Sequence, residues 1–330
     1  PDERVFDDVV VAQWLRDDSA SLIESIAVLN TFDAVIVQHE YGLFGGTDGD
    51  HILDLLAGVE VPIIAVLHTT LENPSNHQRF VLEHILSMAD RVVVQSEAAK
   101  RRVVSVHGCD LDDVAVIAHG AAANFNGAKS LDYDGPIVLT WGLLSPGKGI
   151  EYGIHAIAEV QKTIENVRYV VAGQTHPKVL RQSGERYRDS LREFARSKGA
   201  HDAVIFDDEY RDWNALRALV RSADVVLLPY ESRDQVSSGV LVEALASGKP
   251  VVATRFPHAE ELLACGAGVV VDHADADAMA DAIKEILSDE SLAKEMHTAA
   301  RFVAQGLLWP TVGALYRTLL VSLIKKEAVA

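Results

Sequence analysis

The stretch DVVLLPYESRDQVSSGVLVEALASGKPVVAT runs from Asp224 to Thr254. It opens on an apolar run, crosses a polar loop, and turns into an apolar helical pattern, GVLVEALA. Gly-Lys-Pro then precedes a second β-branched run. Continuous apolar runs, without polar alternation, mark strands buried on both faces, as in parallel sheets. A helix between two such strands is the repeating step of a doubly wound α/β fold. One residue stands out. Glu243 lies in the middle of the apolar helix, with Gln235 eight residues before it.

The same alternation extends to both sides. DAVIVQ, VPIIAVLH, DRVVVQS and VAVIAHG read as strands in the first part of the chain. PIVLTWG, VRYVVAG, AVIFDD, DVVLLPY, KPVVATR and GVVVDH read as strands in the second. Helices are expected near 76–88, 97–107, 150–165, 183–199, 212–222, 238–247, 276–288 and 290–304, with a last one after Pro310. The segment 127–136, GAKSLDYDGP, is polar and turn-rich. It divides the chain into two Rossmann-like, doubly wound domains, 1–133 and 134–305, followed by a tail, 306–330. A length of 330 residues agrees with two domains.

The formal charge of −18 argues against nucleic acid or anionic lipid as the main partner, because a phosphate backbone needs a basic face. It leaves a small basic pocket and peripheral membrane contact open. Cys109 and Cys265 have no metal-like spacing, and no apolar stretch reaches the length of a membrane span. A reduced, cytoplasmic setting is expected.

In doubly wound sheets ligands bind at the carboxyl ends of strands. His39 and Glu40 follow the first strand, His68 the second and His119-Gly120 the fourth. One such His is more often a packing residue; several on one edge weaken that reading. Gly142 opens GLLSPGKG, a turn that ends in Lys148 at the start of a helix. Backbone N–H groups and an ammonium there suit an anion. On the residues alone, a plain turn with an exposed lysine is an equal reading. Ser237, Ser238 and Gly239 stand where the Glu243 helix begins, so their N–H groups are expected to be free for a phosphate. Glu243 itself is costly to bury unpaired. It is expected to accept hydrogen bonds from a ligand, with a pair of sugar hydroxyls as the natural match.

QHEYGLFGG, VLHTT, VIAHG, TWGLLSPGKGIEYGIHAI, VVAGQTHP, DQVSSGVLVEALASGKPVVAT and PHAEELL together resemble the retaining, nucleotide-sugar-dependent glycosyltransferases of the GT-B fold, nearest the mannosyltransferase-like group. The strings occur in the family's order over nearly the whole chain. The resemblance implies two Rossmann-like domains facing a cleft. It implies a nucleoside diphosphate sugar as donor substrate, a glycan or small molecule as acceptor, no tightly bound cofactor and no metal. By resemblance Lys148 and Gly142 would lie at the diphosphate, and Ser237, Ser238 and Gly239 at the distal phosphate. Glu243 would hold the ribose hydroxyls, as the second glutamate of the family's Glu-seven-residues-Glu motif. His68 would face the donor sugar near the reacting carbon, His39 and Glu40 the acceptor. Trp309 would mark the return of the tail to the first domain.

The chain departs from the family pattern in three places. Gln235 stands for the first glutamate of the motif, which contacts the donor sugar. Leu143 stands for an arginine, leaving Lys148 as the main cation with Arg233 or His176 as possible helpers. The Gly-rich loop after the family's first strand is absent, which implies first strand–helix units upstream of Pro1. The resemblance favours mannose from GDP-mannose, with glucose from UDP-glucose as the alternative donor. Gln235 and Leu143 are the features of a rival reading, a degenerate relative that binds nucleotide or glycan without turnover. An epimerase would want more carboxylates at the sugar, and a glycogen-type phosphorylase a pyridoxal lysine.

Overall fold

The computed structural model describes residues 9–15 and 18–327; the polar stretch at 1–8 lies outside the described residues. The chain forms two compact units. The described residues up to Ala118, with those from Gly313 onward, make one; His119–Val312 make the other.

The first unit carries a four-stranded parallel sheet in the order β1 (Val35–His39), β2 (Ile63–Leu67), β3 (Arg91–Val94), β4 (Val114–Val116). β2 is buried along its whole length, as its apolar run demands. β1 differs from that expectation. Its burial alternates, with Ile36 and Gln38 exposed, because it is an edge strand among the described residues.

The second unit is built on a six-stranded parallel sheet. Its strands are β5 (Ile137–Trp141), β6 (Arg168–Ala172), β7 (Val204–Asp207), β8 (Val225–Leu228), β9 (Val251–Thr254) and β10 (Gly268–Val271). Their spatial order is β10-β9-β8-β5-β6-β7. The chain winds outward from β5 to β7, then returns to the other side of β5 and winds out to β10. The reversal falls between β5 and β8, and such a switch point opens a crevice at the carboxyl ends of its two strands. The core is packed by Ile154, Ile157, Met279 and Ile283, all fully buried, from the helices Ile150–Val160 and Ala276–Ser288.

The units divide at 118/119 and 312/313, against the expected 133/134 and 305/306. The segment 119–133 is tied into the second unit. Asn124 donates from its backbone to Ala246 O (2.9 Å) and from its side chain to Ser247 Oγ (2.8 Å). Ala121 N–H donates to Leu307 O (2.8 Å), and Trp309 N–H donates to Ala121 O (2.9 Å).

Most helices fall where the 3.6-residue pattern places them. The expected 183–199 helix is Arg186–Ser197, and it is preceded by a further short helix, Pro177–Ser183, that ends where Gly184 takes φ +61°. Short helices at Ile52–Ala57 and Pro257–Leu263 give too few turns for a periodic signal.

Candidate functional site

The crevice between β5 and β8 is assembled by the loop after β5, which is held by the loops after β6 and β8. After β5 the chain runs through Gly142 at φ +117°, with no neighbouring atom where a Cβ would stand. It then pairs with the loop after β6: Leu144 N–H donates to Gln174 O (2.9 Å), and His176 N–H donates to Leu144 O (2.8 Å). Gly149, at φ +65°, lies so close to the loop after β8 that a Cβ there would meet Pro229 O at 1.7 Å. Glu231 N–H donates to Gly147 O (3.0 Å) and closes the contact. Only glycine satisfies both the left-handed φ and the close approach at Gly149.

Lys148 sits on this junction, half-buried, with its ammonium 4.3 Å from the centre of the Tyr230 ring. No carboxylate lies within ion-pair distance of it among the described residues. Burial pushes its pKa below the ordinary lysine value. Tyr230 is held in turn, since Thr254 Oγ1 donates to its carbonyl (2.6 Å) and Phe256 stacks on its ring (5.6 Å).

The helix Gly239–Ala246 begins at the other side of the same crevice. Ser238 caps it, accepting the Leu241 N–H on its hydroxyl (3.3 Å). Ser238 N–H is not free as expected; it donates to Nδ1 of the buried His258 (2.9 Å). Ser237 also has interactions of its own. Among the described residues, the N–H groups of Gly239 and Val240 have no partner in the first turn. They carry the positive end of the helix dipole. Gln235 donates from Nε2 to Ser237 O (3.0 Å), which folds the turn before the helix on itself.

Two recesses flank this helix start. One, of about 430 Å³, is lined by Ser145–Lys148, Tyr230–Ser232 and Gln235. It brings Lys148 and Gln235 onto one wall. The other, of about 590 Å³, is lined by Gly239, Val240 and Glu243 together with His119, Trp213, Arg217 and Trp309. Glu243 is half-buried there. Burial raises its carboxyl pKa, and a hydrogen-bonding contact with the Trp141 indole opposes that rise. His119 sits beside Gly239: a Cβ on that glycine would stand 3.3 Å from His119 Nε2. Burial lowers the His119 pKa, against the pull of its hydrogen bond to Gly120 O (2.9 Å).

Arg233 is exposed, and His176 spends Nδ1 on capping Pro177–Ser183. Neither lines the Lys148 recess. Leu143 is exposed at the rim of a smaller recess of about 170 Å³ whose wall includes Arg211. That arginine is already paired with Asp207 (2.5 Å) and Glu209 (3.1 Å).

In the first unit, His39, Glu40 and His68 gather at the carboxyl ends of the paired strands β1 and β2. Nε2 of His68 lies 2.7 Å from Gln38 Oε1, and its Nδ1 lies 3.2 Å from Gln95 Nε2. Glu40 accepts from the Tyr41 N–H (3.1 Å) and from Thr69 Oγ1. His39 is fully buried beside the rings of Tyr41 and Phe44, with no partner on either nitrogen among the described residues. Burial and the neighbouring His68 lower its pKa to about 4.

His258 and Tyr230 were missed as site residues at the level of sequence. His258 follows the β9 run by only a few residues, so the strand-end rule that found His39 and His68 covers it too.

Residues 124–302, more than half of the chain, match the family model described as glycosyl transferases group 1. A D-inositol 3-phosphate glycosyltransferase of Acidothermus cellulolyticus is 28% identical over 76% of this chain and 59% of its own length. A GDP-mannose-dependent alpha-(1-6)-phosphatidylinositol monomannoside mannosyltransferase of Mycolicibacterium smegmatis is 31% identical over 55% of this chain and 46% of its own. The chain thus spans about half the length of the curated relatives it matches. Among solved structures, Anabaena Alr3699/HepE in complex with UDP superposes with a TM-score of 0.75 at 19% identity, over 92% of this chain and 82% of that one. At that identity the likeness speaks for the fold.

Proposed function

The chain belongs to the group 1 glycosyl transferases and has their GT-B class of fold; from that premise we propose that it moves a hexose from a nucleoside diphosphate sugar to an acceptor hydroxyl with retention of configuration. The observation that carries the reading is a set of unspent donors at one switch point. Among the described residues, the Lys148 ammonium and the Gly239 and Val240 N–H groups have no protein partner that neutralises or occupies them. Glu243 lies one turn further along the same helix, in the larger recess. Unspent cationic and N–H donors suit a diphosphate, and a carboxylate one turn on suits vicinal ribose hydroxyls. As the glycosidic bond breaks, the leaving diphosphate gains charge, and Lys148 with the helix N-terminus stabilises it. No metal has a part in this reading. Gln235, on the Lys148 wall, contacts the sugar through neutral hydrogen bonds. Within the first unit, His68 is assigned to the donor sugar and Glu40 to the acceptor, while His39, fully buried, packs behind them and touches neither.

The donor is read as GDP-mannose, supported by the name of the 31%-identical relative. UDP-glucose is the alternative. A screen of both donors, with the anomeric configuration of the product read by NMR and a chelator arm, tests the proposal. Turnover of GDP-mannose to an α-mannoside, unchanged by chelator, is expected. Binding of nucleotide without any transfer would favour the degenerate reading that Gln235 and Leu143 suggest.

A further inference from the structure

We propose that His258 is the positioning residue of the donor site: it fixes the Gln235–Ser238 turn, and so places both the Gln235 side chain and the free N–H groups of the Gly239–Ala246 helix. The inference rests on the donor site proposed above.

His258 is 1% exposed and grips the turn at both ends. Its backbone N–H donates to Gln235 O (3.3 Å), and its Nδ1 accepts the Ser238 N–H (2.9 Å). The residues between are closed by the bond from Gln235 Nε2 to Ser237 O. Ser238 is itself 2% exposed, so water does not replace the imidazole as partner of its N–H. An apolar residue at 258 leaves a buried donor unpaired. The bond also decides which helix donors remain. His258 takes the N–H of Ser238 and the Ser238 hydroxyl takes that of Leu241, leaving Gly239 and Val240.

The grip needs a neutral ring, because an imidazolium has no acceptor nitrogen. Burial and the nearby His119 hold the His258 pKa at about 4, so the acceptor persists at neutral pH. The segment that carries His258 is anchored independently of the ligand. It continues from β9 through Thr254 and Phe256, both fully buried, and these same residues fix Tyr230 beneath Lys148. One post-strand segment therefore sets both the platform of the cation and the entry to the helix.

The test compares His258→Leu with His258→Asn in the full chain. Asn presents Oδ1 about where Nδ1 stands and keeps the acceptor; Leu keeps bulk and removes it. Hydrogen exchange of the Ser238 amide reads the bond, calorimetry with GDP and UDP reads the site, and the thermal midpoint reads folding. His258→Leu is expected to deprotect the Ser238 amide and weaken nucleotide by about tenfold. His258→Asn is expected to restore both, to within roughly threefold in affinity. If His258→Leu does not fold, His258→Phe carries the same comparison. Equal affinity in the Leu variant and the wild type overturns the proposal. So does equal weakening by Leu and Asn, which would make bulk and not the acceptor the cause. A wild type that binds neither nucleotide, while Ser238 protection still depends on His258, removes the donor reading and with it the role assigned here.

Discussion

His39, at the end of β1, and Gly239, at the start of the helix after β8, both stand where a parallel strand gives out, yet their surroundings differ in kind. Around His39 the polar groups are spent or sealed. His68 has a partner on each ring nitrogen, Glu40 accepts from Thr69 and Tyr41, and His39 itself lies under aromatic rings. Around Gly239 the Ser238 N–H is spent on His258, but among the described residues the Gly239 and Val240 N–H groups and the Lys148 ammonium are left over and border open recesses. Hydrogen-bonding capacity left over at a surface is what identifies a ligand's chemistry. On the function proposed here the second unit suits an anion with hydroxyls attached, while the polar residues of the first unit are spent on one another.

The contrast breaks first at Lys148. If the unspent cation works on the leaving group, Lys148→Ala lowers kcat by about 10²- to 10³-fold, with a smaller change in KM. A change confined to KM would make it a ground-state binder. Burial lowers its pKa, so wild-type kcat is expected to fall as pH rises through a value below the ordinary 10.5. The charged form is the active one, and it is lost on the alkaline side. Lys148→Arg should move that limb to higher pH, and a limb that stays in place would assign it to another group.

Glu243 gives the next largest effect and sharpens the division between units. Glu243→Ala is expected to weaken nucleoside diphosphate by about 1.5–3 kcal/mol, the range for hydrogen bonds to a charged group. His68→Ala is expected to reduce turnover while leaving the nucleotide Kd unchanged. Calorimetry on both variants checks this. A Kd that follows His68 but not Glu243 would invert the comparison.

Gln235 carries the smallest effect. Gln235→Ala should cost activity by about 1–2 kcal/mol, one or two neutral hydrogen bonds, and Gln235→Glu should be tolerated. A large gain in the Glu variant would mean that the wild type is the degenerate form. Indifference to Ala would mean that Gln235 does not reach the sugar.

The apolar runs of β2, β5, β8 and β9 were legible because parallel strands are buried on both faces, and the lone carboxylate in GVLVEALA, more than a solvated helix glutamate, pointed to a group at a recess, where Glu243 lies. The Lys148 turn was only half legible. Its glycines mark a turn, but that Gly149 abuts Pro229 O depends on a strand far along the chain. Ser238 shows the limit from the other side. Its place at a helix start predicts a free N–H, and the partner that consumes it comes from after β9. Local pattern fixes which donors a helix start exposes, and long-range contacts decide which of them are left.

That remainder is the central claim, and backbone amide NMR reads it directly. Titrating GDP and then UDP into the ¹⁵N-labelled chain should shift the Gly239 and Val240 amides saturably, and the Ser238 amide least of the three. Saturation with the amides of Gly239 and Val240 unmoved, or no binding of either nucleotide at millimolar concentration, would contradict it.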